Sequence, residues 1–173
     1  MSFYEQFILD LQAHVKVTVP EFRFIDQNLG QWGDENFRTS VSFPAILVDF
    51  PSTTYSEISS GSQLGLTNIE LTLLFQTASQ SYNLAQDAVK IKALDYYKLE
   101  AKLVANLQNW SKDYFQGLIR VNAQSKNRNE LGLRIRELNF TTEFEEYLED
   151  ETAEEVEFTI AINGQIQQTN PAD

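Results

Sequence analysis

The chain has 173 residues, 42% hydrophobic and 12% aromatic, which is the composition of a folded domain and not of a disordered segment. It has no cysteine and one histidine, His14, which excludes disulfides, thiol nucleophiles, thiolate metal sites and any site needing two histidines from one chain. Its 13 Lys and Arg against 25 Asp and Glu give a net charge of −12, and no apolar run approaches the ~20 residues of a membrane span, so neither nucleic acid nor membrane is an expected partner.

Ser2 and Glu5 have the spacing of a capping box, and residues 1–5 carry no basic segment ahead of an apolar stretch, so no signal peptide is expected. Tyr4, Ile8, Leu11 and Val15, flanked by Phe3 and Phe7, make one helical face, which Val17, Thr18, Val19 and Pro20 end. Residues 22–25 read as a short strand. Residues 28–37, with Gly30, Gly33, Asp34 and Asn36, read as a loop whose Trp32 is either an exposed loop residue or interface material. The apolar run 45–50 between Pro44 and Pro51 predicts a central strand buried on both faces. Residues 52–65 read as a long hairpin connection, after which Ile69, Leu71, Leu73 and Phe75 alternate with polar residues as a half-wet strand.

Residues 84–110 form the longest periodic segment, a long central helix with Asn83 as its expected N-cap. Tyr96, Leu99, Leu103, Leu107 and Trp110 make one stripe, which Leu94, Tyr97, Ala101 and Val104 broaden. That is more apolar face than one sheet needs, so Tyr96, Tyr97 and Trp110 join Trp32 as candidate self-association anchors. Residues 118–123 predict a strand. Residues 131–148 predict a longer one whose apolar parity slips between Ile135 and Leu138, as a bulge near Arg136 would produce. Val156, Phe158, Ile160 and Ile162 predict a last strand paired with the previous one. The expected architecture is α+β: a mostly antiparallel sheet with two helices, N-terminal and long central, packed on one face. It is a single domain over 1–173, with an acidic C-terminal hairpin extension at about 146–165 and a polar tail.

Residues 1–136 hold all 13 basic residues and 14 acidic ones, whereas 137–173 hold 11 acidic residues and no Lys or Arg. The acidic run lacks the alternate Asp/Asn, central Gly and distal Glu of a calcium loop. Glu149, Asp150, Glu151, Glu154 and Glu155 are therefore expected to form an exposed acidic surface that binds neither metal nor DNA. His14 sits off the helix's apolar face as a boundary residue, with no serine aimed at it. Asp49 and Glu70 are the one carboxylate couple that could do acid/base work, but Asp49 reads more simply as a strand-end residue. Arg120, Arg134 and Arg136, on adjacent predicted strands, most simply neutralise carboxylates. No glycine-rich phosphate loop is present. No catalytic residue, cofactor or metal is expected.

Two stretches carry a family resemblance. One is Phe24-Ile25-Asp26-Gln27-Asn28, a loop, then Phe43-Pro44-Ala45-Ile46-Leu47-Val48-Asp49-Phe50. The other is Ile69-Glu70-Leu71-Thr72-Leu73-Leu74-Phe75, a polar break, a helix with Leu94-Asp95, and Leu107-Gln108-Asn109-Trp110 before a strand pair. Over about residues 1–145 the chain resembles small phage and prophage tail proteins of the tail-terminator or tail-completion type. The resemblance implies a non-enzymatic virion protein that forms a ring, commonly a hexamer, and contacts other tail or head-connector proteins. It also implies a location in the host cytoplasm during assembly and then in the virion tail. The alternatives are a stand-alone binding or adaptor domain, and a carboxylate-dependent enzyme built on Asp49 and Glu70.

Overall fold

The structure is a computed structural model and describes residues 1–31, 41–76, 81–126 and 132–147. In chain order these form α1 (Phe3–Thr18), β1 (Phe24–Gln27), β2 (Ala45–Ser59), β3 (Ser62–Gln76), α2 (Asp87–Ala93), α3 (Asp95–Leu107), β4 (Ile119–Ser125) and β5 (Leu133–Tyr147). The strands make one sheet in the order β1-β2-β3-β5-β4. β1 runs parallel to β2, and the other three neighbouring pairs are antiparallel. The fold is α+β, but the sheet is mixed, and "mostly antiparallel" misses its parallel edge. Residues 28–44 separate β1 from β2, long enough for the crossover that a parallel pair needs.

α1 opens on the expected capping box: the Ser2 side chain accepts from the Glu5 N–H, and the Glu5 carboxylate accepts from the Ser2 N–H at 3.0 Å. Its buried stripe is Phe3, Phe7, Leu11 and Val15, one residue every turn. That stripe and Leu103 and Leu107 of α3 pack on Ile46, Val48, Ile69, Leu71, Leu73, Leu138, Phe140 and Phe144 of the sheet. The opposite sheet face holds a second, smaller cluster: Val41, Ala45, Leu47, Leu74, Leu133 and Ile135, with Phe24 and Phe43 against it.

This two-faced sheet corrects the expected bulge in β5. The β3–β5 register runs unbroken from Ser62↔Tyr147 to Gln76↔Leu133. The parity slip is a change of face: Leu133 and Ile135 serve the small cluster, and Leu138, Phe140 and Phe144 the main core. The register irregularity falls instead in β4, between Arg120 and Asn122.

Two further expectations are corrected. β2 does not stop at Pro51. The register shifts between Asp49 and Ser52, where a residue without an N–H can sit, and pairing resumes to Ser59. Most of the expected 52–65 connection is therefore strand, and the turn is at Gly61, whose φ of 83° suits glycine. Residues 84–110 are not one helix. The segment divides at Leu94 (φ −102°, ψ 0°) into α2 and α3, giving three helices among the described residues instead of two. Asn83 does not cap it; Gln86 precedes α2 and makes no side-chain cap bond. α2 has no buried residue, so only α3 lies on the sheet. α3 ends at Leu107, and Asn109 turns left-handed (φ 62°), so Trp110 lies beyond the helix. The expected strand at 156–162 and the acidic hairpin beyond Tyr147 lie outside the described residues.

Candidate assembly surfaces

Trp32, Glu149, Asp150, Glu151, Glu154 and Glu155 lie outside the described residues. Trp110 is half-buried, and its ring is engaged within the chain. It stacks on His14 with centroids 4.6 Å apart and meets Phe115 edge-on at 5.2 Å. His14 is the expected boundary residue, its Nε2 3.0 Å from the Asn106 carbonyl oxygen.

Tyr96 and Tyr97 stand at the start of α3, over the first residues of β5. Tyr96 is half-buried against Phe75, while Tyr97 is 45% exposed. Beneath them the Arg134 guanidinium lies 5.2 Å from the Tyr96 ring centroid. Arg134 Nη2 donates to the Tyr97 hydroxyl at 3.1 Å and the Ser125 hydroxyl at 3.3 Å. Next along the same face, Arg136 donates twice to Glu100, from Nε at 2.7 Å and Nη2 at 2.8 Å, in the paired geometry of a strong guanidinium–carboxylate contact. Its Nη1 donates to Ser125 Oγ at 2.9 Å.

Two cations therefore stand beside one carboxylate, and among the described residues only Arg136 pairs with it. Arg136 neutralises Glu100 as the expected role requires. Arg134 has no ion-pair partner among the described residues, and its Nε is buried without a hydrogen bond there. Arg120 is exposed and likewise has no ion pair among the described residues. Burial pushes the Tyr96 hydroxyl up to about 12; contact with the Tyr96 hydroxyl, and the two guanidiniums, draw Tyr97 down.

Around this corner the surface is apolar. Leu84 (84% exposed), Ile91 (56%) and Leu94 (41%) stand on or beside α2, and a groove of about 300 Å³ runs between Lys92, Tyr96, Leu99, Phe75 and Phe43. The apolar excess expected of 84–110 is thus carried by α2 and the first turn of α3.

The far end of β5 has the opposite character. Glu143 and Glu145 are exposed, Glu146 is half-exposed and Tyr147 is 71% exposed. The Tyr147 hydroxyl donates to Glu145 Oε2 at 3.0 Å. None of the three carboxylates has a Lys or Arg ion pair among the described residues. Two open clefts of about 520 and 550 Å³ flank this end, and Phe144, Glu145 and Tyr147 line both.

Asp49 and Glu70 are cross-strand partners, as acid/base work would require, but Asp49 is exposed and accepts from the Phe50 N–H at 2.8 Å. Burial, and then the carboxylates of Glu137 and Asp49, raise the Glu70 carboxyl above its usual range. The groove that reaches Asp49 does not reach Glu70. Among the described residues no group of three His, Cys, Asp or Glu is placed to hold a metal, and no helix is long and apolar enough to cross a membrane.

Sequence reading missed the Arg134–Tyr96–Tyr97 stack. A signal was there: Arg134 and Arg136 share parity with Leu138 and Phe140, so their stems lie on the core face and their charged ends need partners from the helix above.

No family model matches the sequence, and no curated protein matches it. Among solved structures, the chain is similar to one in the virion of a native gene transfer agent (GTA) particle. The identity is 12% and the TM-score 0.40, over 79% of this chain and 84% of that one.

Proposed function

We propose that the chain is a structural assembly protein of a phage or prophage tail, of the tail-terminator or tail-completion type. In this reading it works through protein–protein contacts as a ring, commonly a hexamer among the proteins it resembles, and meets other tail or head-connector proteins. It is not an enzyme and needs no cofactor or metal.

One observation supports this reading most directly. The stretches that carry the resemblance, far apart in sequence, meet in the fold. Phe24 to Gln27 pair with Ala45 to Val48, and Ala45 to Asp49 pair in turn with Leu74 to Glu70. Leu94-Asp95 opens α3, and Leu107-Gln108 closes it. The resemblance thus covers one contiguous unit of three strands and the helix above them. Against the carboxylate-enzyme reading, Asp49 stands in solvent, and the groove that reaches it is not lined by Glu70.

The test is mass measurement and negative-stain microscopy of the purified full chain over a wide concentration range. Closed rings of uniform size are the expected result. A monomer throughout, which also fails to bind isolated tail tubes, would overturn the reading.

A further inference from the structure

β5 is charged unevenly along its length. Residues 133–136 carry Arg134 and Arg136 and no carboxylate; residues 143–147 carry Glu143, Glu145 and Glu146 and no cation. Fourteen steps at ~3.4 Å put the two ends about 48 Å apart. Screening reaches only ~8 Å at physiological salt, so the ends do not neutralise each other within one copy.

Each end is also incompletely satisfied. At the start, Glu100 is occupied by Arg136, and Arg134 has no ion-pair partner among the described residues. Lys92 of α2 has none there either, and Lys98 pairs only with Asp95 of its own turn, an exposed contact. At the finish, three carboxylates have no ion-pair partner among the described residues. Both ends carry exposed apolar side chains: Leu94 and Tyr97 at the first, Tyr147 and Ile58 (53%) at the second. Opposite charge around exposed aromatics at two separate places suits a contact between unlike surfaces.

We infer that the two ends of β5 are the two halves of one interface, in which the Arg134–Tyr97 end of one copy receives the Glu145–Tyr147 end of a second copy. The inference rests on the ring reading and adds which surfaces meet. A contact between unlike surfaces repeats head to tail, and it closes into a ring when the rotation permits. Arg134, held between the Tyr96 ring and the Ser125 hydroxyl, is placed to take a carboxylate from a neighbouring copy.

The test uses charge reversal in the full chain. One variant reverses the acidic end (E143K/E145K/E146K). A second reverses the basic end (R134E), and K92E/K98E reverses exposed residues at that end should the half-buried Arg134 site not tolerate glutamate. Circular dichroism checks folding, and sedimentation velocity follows assembly at low and high salt. The wild type should assemble at low salt and weaken at high salt. Each variant alone should associate at least ~10-fold more weakly, as expected when attracting charges become repelling ones. An equimolar mixture of an acid-reversed and a base-reversed variant should assemble again, since each then offers what the other lacks.

If a folded variant of each end assembles like the wild type, or if the mixture of two weakened variants stays apart, the inference is overturned while the ring reading stands. The second result would assign the two ends to different partners. A wild type that never assembles overturns both.

Discussion

Gly65 and Phe144 face each other across β3 and β5, and a methyl group on Gly65 would lie 2.6 Å from Phe144 Cζ. The ring cannot retreat freely, because its other side stacks on Phe3 of α1 with centroids 3.9 Å apart and planes within 5°. The glycine is needed for space: the ring fills the room a side chain would take, which ties the distal hairpin to the first turn of α1.

Gly65→Ala is therefore expected to destabilise the fold by about 1–3 kcal/mol, the usual cost of overpacking a filled core. Denaturant unfolding reads it directly. A change under ~0.5 kcal/mol would show that the Phe3–Phe144 stack yields easily.

Glu100 and Arg136 are both largely buried, with side chains 9% and 14% exposed. Glu100→Gln leaves a largely buried guanidinium without its counter-charge, beside a second cation. The expected cost is about 3 kcal/mol. Replacing both residues with leucine should cost much less, because no charge is then stranded. Equal losses in the single and the double variant would mean that the pair contributes through shape instead of charge.

Glu70 gives a pH-dependent prediction. Its folded-state pKa is raised above the ordinary 4.5, so the folded protein binds this proton more tightly than the unfolded chain does. The associated stability is fully present below 4.5 and is lost as pH rises through the raised value. Glu70→Gln should thus be neutral in acid and stabilising at pH 7, by about 0.5 kcal/mol, as for a surface substitution. Melting curves across this range decide it; a variant that is less stable at pH 7 would show that the carboxylate has a favourable partner.

α2 contributes no buried side chain. Ile91→Ser with Leu94→Ser should leave the unfolding free energy within ~0.5 kcal/mol, whereas Phe7→Ala should cost about 3–5 kcal/mol. The double serine variant should nevertheless weaken self-association in sedimentation. If it destabilises the monomer instead, those side chains belong to the core.

The elements that local pattern specifies were legible before the fold was known. The Ser2–Glu5 box, Leu11 and Val15 of the α1 stripe, and Ile69, Leu71, Leu73 and Phe75 are legible because each signal is contained within a few residues. Phe3 and Phe7 complete the buried stripe in place of Tyr4 and Ile8, and the other face of β3 is not wet, since Thr72 and Leu74 are buried there. The errors have a common physical origin in tertiary context. Pro51 looks like a strand end in the sequence because its compensation, a register shift against β3, involves a strand that is distant in sequence. The break at Leu94 carries no glycine or proline, and local sequence did not mark it. The parity slip in β5 looks like a bulge when a single apolar face is expected, whereas the sheet has two. Of the candidate surface, Tyr96 and Tyr97 are nameable from periodicity and the core-side parity of Arg134 and Arg136 is legible too, but which helix residues those arginines meet is not, since α3 and β5 meet only after the sheet has formed.

The change of face within β5 also bears on which insertions and deletions the chain can survive. Ile135 and Leu138 are three residues apart and must point into different clusters. Losing one residue between them would bring them onto one face and expel one set from its cluster. Adding one would likewise invert one half of the strand relative to the other. The connection from Gln76 to Ile119 faces no such parity rule, because α2 and α3 intervene before the next strand and each can absorb a change at its ends. Length variants of this protein should therefore collect in that connection and be absent from β5, where the reading frame of the pleat is fixed from both sides at once.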